Sequence, residues 1–68
     1  MYMSLNTTYS LIKRESEEFE EISRRFDGHP DRGWLLRTHA RSIDDLISLY
    51  KAHGGQRDVD QFRKEVIA

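Results

Sequence analysis

The sequence contains no cysteine, only one proline and no long run of apolar residues. The absence of cysteine excludes disulfides, thiol nucleophiles and cysteine-ligated zinc. No apolar stretch approaches the roughly 20 residues that cross a bilayer, so we expect no membrane-spanning segment. The chain also starts without the basic leader and apolar core of a signal peptide, and we therefore expect a cytoplasmic protein.

The chain lacks a strong charge of either sign, because eleven basic residues against twelve acidic ones leave a formal charge of -1. A protein that coats nucleic acid is usually more basic, so electrostatic recognition must come from local segregation of charge. With 68 residues, of which 37% are hydrophobic, the chain forms one small domain, residues 1–68. Small domains without disulfides or metal often gain stability by oligomerising, and we expect a homodimer or higher assembly.

The strongest pattern in the sequence lies within residues 31–53. Apolar residues recur there at alternating spacings of four and three, which places them on one face of a helix. Additional leucines widen this face, so the helix belongs to the core. The face consists of Leu35, Leu36, Ala40, Ile43, Leu46, Ile47, Leu49 and Tyr50.

A second amphipathic pattern precedes it and predicts a long helix that starts within residues 4–10. Gly28 and Pro30 end this helix. Because the connection to the next helix is short, we expect the two helices to pack antiparallel, as a hairpin. We expect Asp31 to cap the central helix. The apolar residues that repeat every seven positions in the first helix are Leu5, Ile12, Phe19 and Phe26.

Gly54 and Gly55 end the central helix, and Asp58 followed by Gln61 is typical of a new helix start. The predicted fold is therefore all-α, an antiparallel helical hairpin with a short C-terminal third helix that carries Val59, Phe62, Val66 and Ile67. The long helices present more apolar surface than this third helix can readily cover, and we expect the excess to join two copies. That seam would contain Phe19, Phe26, Ile43, Ile47 and Tyr50.

An antiparallel hairpin gathers several cationic side chains at its turn. The N–H groups at the start of the central helix point to the same end, where the helix dipole favours anions. We predict a binding surface there, with structural salt bridges across the hairpin as the alternative interpretation. The candidate binding residues are Arg24, Arg25, His29, Arg32, Trp34, Arg37 and Arg41.

Two further features have more than one interpretation. Trp34, the only tryptophan, is either a hydrophobic plug between the helices or an exposed interaction residue beside arginines. The glutamate-rich residues 15–21 form either a solvated helix face or an acidic docking patch for a basic partner.

The histidines indicate neither a metal site nor a catalytic one. His29, His39 and His53 lie ten and fourteen residues apart, whereas two ligands on one helical turn need a spacing of four. We interpret His39 as a partly buried, hydrogen-bonded side chain. No serine, lysine or aspartate stands in a recognisable nucleophile motif, so we predict no enzymatic activity, no cofactor and no metal.

Residues 43–50 (IDDLISLY) resemble the second-helix motif of the small sporulation-regulator aspartyl phosphatases, which are also helical hairpins. That family has a serine four residues before its key aspartate. Counting back from Asp44 gives Ala40 instead, so the resemblance does not extend to phosphatase activity.

We predict a small, non-catalytic regulatory or inhibitory protein that binds another protein. Small, charged, helical proteins of this kind are frequent among the modulators of phages and mobile elements. The alternative function is an anion-binding module that holds nucleic acid, a nucleotide or another phosphorylated ligand at the arginine-rich turn.

Overall fold

The computed structural model describes residues 4–65, and within them the fold is all-helical. Helix α1, Leu5–Arg25, and helix α2, Arg32–Ala52, pack side by side as an antiparallel hairpin. A single 3-10 turn, Asp60–Phe62, follows them. The predicted helical class and hairpin are thereby confirmed, in a body that measures 39 × 19 × 18 Å.

The ends of the helices show which polar residues act as caps. Ser4 is the N-cap of α1, and its hydroxyl accepts the Thr7 N–H at 3.1 Å. Asp31 occupies the N-cap position of α2 as expected, but its side chain makes no capping hydrogen bond. Its own N–H instead donates to Nδ1 of His29 at 3.1 Å. Gly28 provides the positive φ, 80°, that the turn after α1 requires.

The core is a single row of apolar side chains between the two helices, closed at one end by Val59. Ile12, Ile43, Ile47 and Val59 are completely buried. Full burial of one such side chain stabilises the fold by about 1.5–3 kcal/mol. The other buried members of the core are Phe19, Leu36, Ala40 and Tyr50.

The predicted dimer seam is largely the interior of the single chain. Ile43 and Ile47 are 0% exposed, and Phe19 and Tyr50 are buried beside them. The prediction assigned these side chains to a dimer because it did not account for the packing within one chain. In the structure the two helices of a single chain cover each other's apolar rows. Any self-association must therefore use other side chains.

The predicted third helix is also different in the structure, where the described part of this segment forms only one 3-10 turn. Gln61 donates to the carbonyl of Asp58 instead of completing a reciprocal cap. Arg63 then adopts an extended backbone, with ψ at 142°, so the turn cannot continue as a helix. Val66 and Ile67, which the prediction included, lie outside the described residues.

Residues 56–65, here called the C-terminal segment, pack against one side of the hairpin. The Arg57 N–H donates to the Tyr50 hydroxyl at 3.1 Å, and the Phe62 ring contacts Tyr9 edge-on with ring centroids 6.0 Å apart. A Cβ at Gly55 would collide with the Tyr50 ring, so only glycine allows this close approach. The segment therefore covers the open end of the hairpin.

Replacement of Ile43 by alanine tests the importance of the buried row. Because Ile43 is fully buried, Ile43→Ala leaves a cavity between α1 and α2, and we expect a loss of about 2–5 kcal/mol in the free energy of unfolding. Leu5→Ala is the matched control, because Leu5 lies on the partner helix α1 with 38% of its surface exposed. Urea denaturation followed by circular dichroism measures both variants. An equal loss in the free energy of unfolding of the two variants would contradict this account of the core.

Candidate functional site

Most of the predicted binding residues lie at or near the hairpin turn, whereas Arg41 lies near the middle of α2, and several are engaged in local structure. Arg32 spans the turn and donates to the Ser23 carbonyl at 3.2 Å and to the Ser23 hydroxyl at 3.0 Å. These bonds satisfy a carbonyl in the last turn of α1, where backbone acceptors lack helical partners. Arg32 thus joins the end of α1 to the start of α2.

Two more of the predicted residues have local partners. Arg25 pairs with Glu21 at 2.9 Å, one turn earlier on α1. Nδ1 of His29 accepts the Asp31 N–H, and its ring packs edge-on against Phe26 with centroids 5.2 Å apart. Arg25 therefore has an ion pair within α1 and not the predicted salt bridge across the hairpin, whereas His29 and Arg32 have hydrogen-bonding roles at the turn.

Trp34 lies on the outside of the hairpin, with 62% of its surface exposed. The plug interpretation of this residue is therefore wrong; Trp34 is exposed, and its role as an interaction residue stays a prediction. The reason is the helical period: Trp34 is two residues before the buried Leu36, which places it about 200° around the helix from the core.

Arg37 and Arg41 follow Trp34 on the same side of α2, at three and seven residues after it. Both are exposed, as is Arg24 near the end of α1. Within residues 4–65 these three arginines form no ion pair. We call Trp34, Arg37 and Arg41 the outer patch.

The carboxylates of the glutamate-rich residues 15–21 have different partners, and the choice between a solvated face and a docking patch stays a prediction. Glu20 pairs with Lys64 of the C-terminal segment at 2.7 Å, on one side of the hairpin. Glu15 and Glu18 point instead to His39 on α2, on the opposite side. Glutamates of residues 15–21 thus contact different parts of the protein.

A second surface lies opposite the C-terminal segment, and we call it the open flank. It is made by residues that recur at spacings of four and three just beside the buried row of each helix. Most of its side chains are half-buried, and it has apolar residues at both ends with charged residues between them. It consists of Leu11, Glu15, Glu18 and Ile22 of α1 and Leu35, His39, Ser42, Leu46 and Leu49 of α2.

The centre of the open flank is a cluster of one imidazole and two carboxylates. Nδ1 of His39 lies 2.7 Å from Oε2 of Glu15 and 3.8 Å from Oε2 of Glu18. The His39 and Glu15 side chains are only 22% and 23% exposed. The predicted partly buried, hydrogen-bonded state of His39 is thereby confirmed.

The sequence analysis missed Glu15 and Glu18 as partners of His39. A signal was present, because the two glutamates are three residues apart and therefore share one side of α1. That they face His39 depends on the register between the helices, which the sequence pattern did not specify.

Ionic contacts hold the C-terminal segment to both helices. The Asp60 carboxylate accepts hydrogen bonds from Lys51 at 2.8 Å and from Arg63 at 2.9 Å. These bonds hold the pKa of Asp60 below its ordinary value. A hydrogen bond from Lys64 and its positive charge likewise lower the pKa of Glu20. Arg63 also reaches Asp44 at 2.8 Å, so the aspartate that resembles a phosphatase residue forms an ion pair here.

Comparisons of the chain with protein-family models, with curated proteins and with solved structures found no match. None of the helices in the described part of the chain is long and apolar enough to cross a membrane.

The lowered pKa of Asp60 gives a testable pH dependence. A carboxylate whose pKa is lower in the folded state stabilises the fold above its unfolded pKa, near 4, and loses this effect as the pH falls through its folded pKa. We expect Lys51→Gln to raise the pKa of Asp60 towards its ordinary value, as measured by NMR titration of the carboxyl carbon. Lys13→Gln is the control, because Lys13 is not bonded to Asp60. A pKa that is unchanged in Lys51→Gln would contradict the assigned cause.

Proposed function

We propose that this protein is a non-catalytic regulatory or inhibitory protein of the cytoplasm that binds another protein through the outer patch. The observation that carries the proposal is the exposure of Trp34, at 62% of its surface. Tryptophan and arginine are the residues most enriched at the energetic centres of protein interfaces. Trp34 also lies within helix α2 and not in the turn between the helices.

The arginines of the outer patch support the same proposal. Arg37 and Arg41 have no ion pair within residues 4–65, so their guanidinium groups are available to a partner. A guanidinium can bind a carboxylate bidentately, which gives orientation as well as attraction. We therefore expect a partner surface with a pocket for the indole and acidic groups beside it.

The imidazoles have local structural contacts. In the described part of the chain each histidine has a hydrogen-bond contact through Nδ1: His29 with the Asp31 N–H, His39 with Glu15 and His53 with the Leu49 carbonyl. The non-catalytic part of the proposal rests on the sequence, in which no serine, lysine or aspartate stands in a recognisable nucleophile motif.

Binding of an anion such as nucleic acid or a nucleotide is the alternative function. It is favoured by Arg24, Arg37 and Arg41, whereas Arg25, His29 and Arg32 have the local contacts described above. Contacts with phosphates release counterions and make binding steeply dependent on salt, while an interface centred on tryptophan depends on salt only weakly. The salt dependence therefore separates the two functions.

We also propose that two copies of the chain associate through the open flank. The flank is apolar at both ends, with Ile22 and Leu35 near the turn and Leu11, Leu46 and Leu49 towards the other end. A twofold axis parallel to the helices would place α1 of one copy opposite α2 of the other. Glu15 and Glu18 would then lie opposite His39 of the second copy, within reach of hydrogen bonds to its imidazole.

The proposed binding role is tested by Trp34→Ala. The tagged wild-type protein is used to capture partners from the source cell, and the affinity of each captured protein is measured by calorimetry. We expect Trp34→Ala to weaken binding of the partner by about 2 kcal/mol or more, which is roughly a thirtyfold loss of affinity. Tryptophan is among the residues that contribute most to the binding energy of protein interfaces. Melting should change little, since the side chain is not in the core.

Leu5→Ala is the control for this experiment, because it removes another exposed apolar side chain, 38% exposed, at the opposite end of the hairpin. Arg37→Ala with Arg41→Ala should also weaken binding. Equal affinities of the wild type, Trp34→Ala and the arginine variant would refute the outer patch. A steep salt slope together with a nucleic acid or nucleotide in the captured material would favour the alternative function.

Self-association is tested by the double variant Leu35→Glu with Leu49→Glu, measured by sedimentation in the presence of a chelator. We expect the wild type to sediment as a dimer or larger assembly and the double variant as a folded monomer, because the charges would be buried in the interface. Trp34→Ala, on another face, should leave the assembly unchanged. A wild type that stays monomeric at high concentration would exclude this interface.

A further inference from the structure

We propose that Glu15, Glu18 and His39 form a binding site for a divalent transition-metal cation, with zinc as the representative ion. The three side chains can each offer one donor atom, and these atoms all lie within 4.8 Å of one another. Glu15 and Glu18 lie on α1, and His39 lies on α2, 24 residues after Glu15. Folding of the hairpin therefore brings the three donors together. The site is independent of the outer patch.

The distances in the cluster suit a metal ion with only small side-chain movements. Zinc lies about 2.0–2.2 Å from histidine nitrogen and carboxylate oxygen, which places tetrahedral donors roughly 3.3 Å apart. Nδ1 of His39 is now 2.7 Å from Glu15 and 3.8 Å from Glu18, values that lie on either side of this separation. Rotation of the two glutamate side chains is sufficient to equalise them.

The surroundings of the cluster also favour a bound cation. His39 and Glu15 are about four-fifths buried, which weakens competition from water. Oε1 of Glu18 lies 3.5 Å from the exposed Arg14, and Oε2 is the oxygen that faces His39.

The donor set selects the class of ion. An imidazole donor suits zinc, iron, cobalt and nickel, whereas magnesium and calcium prefer all-oxygen sites. Three protein donors leave at least one coordination position open, to water or to a group of another molecule. The expected effect of the ion is to join α1 and α2 at the middle of the hairpin and to stabilise the folded state by mass action.

Cobalt(II) is the probe for this site, because its visible spectrum reports the coordinating atoms. We expect saturable binding of one ion per chain to the purified full-length protein, release by zinc(II) but not by millimolar magnesium, and a higher melting temperature with zinc that a chelator reverses. His39→Gln and Glu18→Gln should each weaken binding by roughly tenfold or more, since each removes a donor. Glu18→Gln is the second variant in case loss of His39 impairs folding.

Two matched controls separate this site from adventitious binding at the surface. His53→Gln removes an exposed imidazole, and Glu17→Gln removes an exposed carboxylate on the same helix as the site. Both should bind cobalt as the wild type does, and circular dichroism without metal should show that every variant is folded. Absence of saturable binding, displacement by magnesium as readily as by zinc, or loss of binding in His53→Gln but not in folded Glu18→Gln would overturn the proposal.

Discussion

The packing of α1 against α2 along one buried row is the interaction on which the rest of the structure depends. Ile12, Ile43 and Ile47 have no exposed surface, and their burial fixes how far one helix is shifted along the other. Since protein interiors are close-packed, this register has little freedom. It brings Ser23 to Arg32 at the turn and Glu15 to His39 near mid-length. The polar contacts are consequences of the apolar one.

The same packing divides the charged residues among distinct surfaces. Cations of the C-terminal segment meet Glu20 and Asp44, while Glu15 and Glu18 meet His39 on the open flank. Exposed ion pairs contribute little to stability individually, so their main effect is to position the segment and the side chains they join. The mixed sequence of α1 therefore gives a hairpin whose two sides differ in chemistry.

The outer patch and the proposed ion site at the centre of the open flank are separate in position and in physical principle. The outer patch depends on an exposed indole and on arginines that are available to a partner, whereas the open flank depends on half-buried donors held by two helices. A substitution at Trp34 leaves the donors of the flank in place, and a substitution at His39 leaves the indole exposed. A chain with so small a core thus has room for a partner surface and an ion site on different faces.

The sequence by itself determined the two long helices, the turn between them and most of the buried row, because each depends on local backbone preferences and on a period of 3.6 residues. The exposure of Trp34 follows from the same period, through its distance of two residues from Leu36. Only the tertiary structure decided that His39 meets Glu15 and that Arg32 bonds to Ser23. These pairs depend on the register between the helices, which arises when the apolar side chains of both interlock. The tertiary structure also decided that Asp60–Phe62 forms a single turn, because the chain after this turn places Arg63 and Lys64 against acidic residues of the two helices.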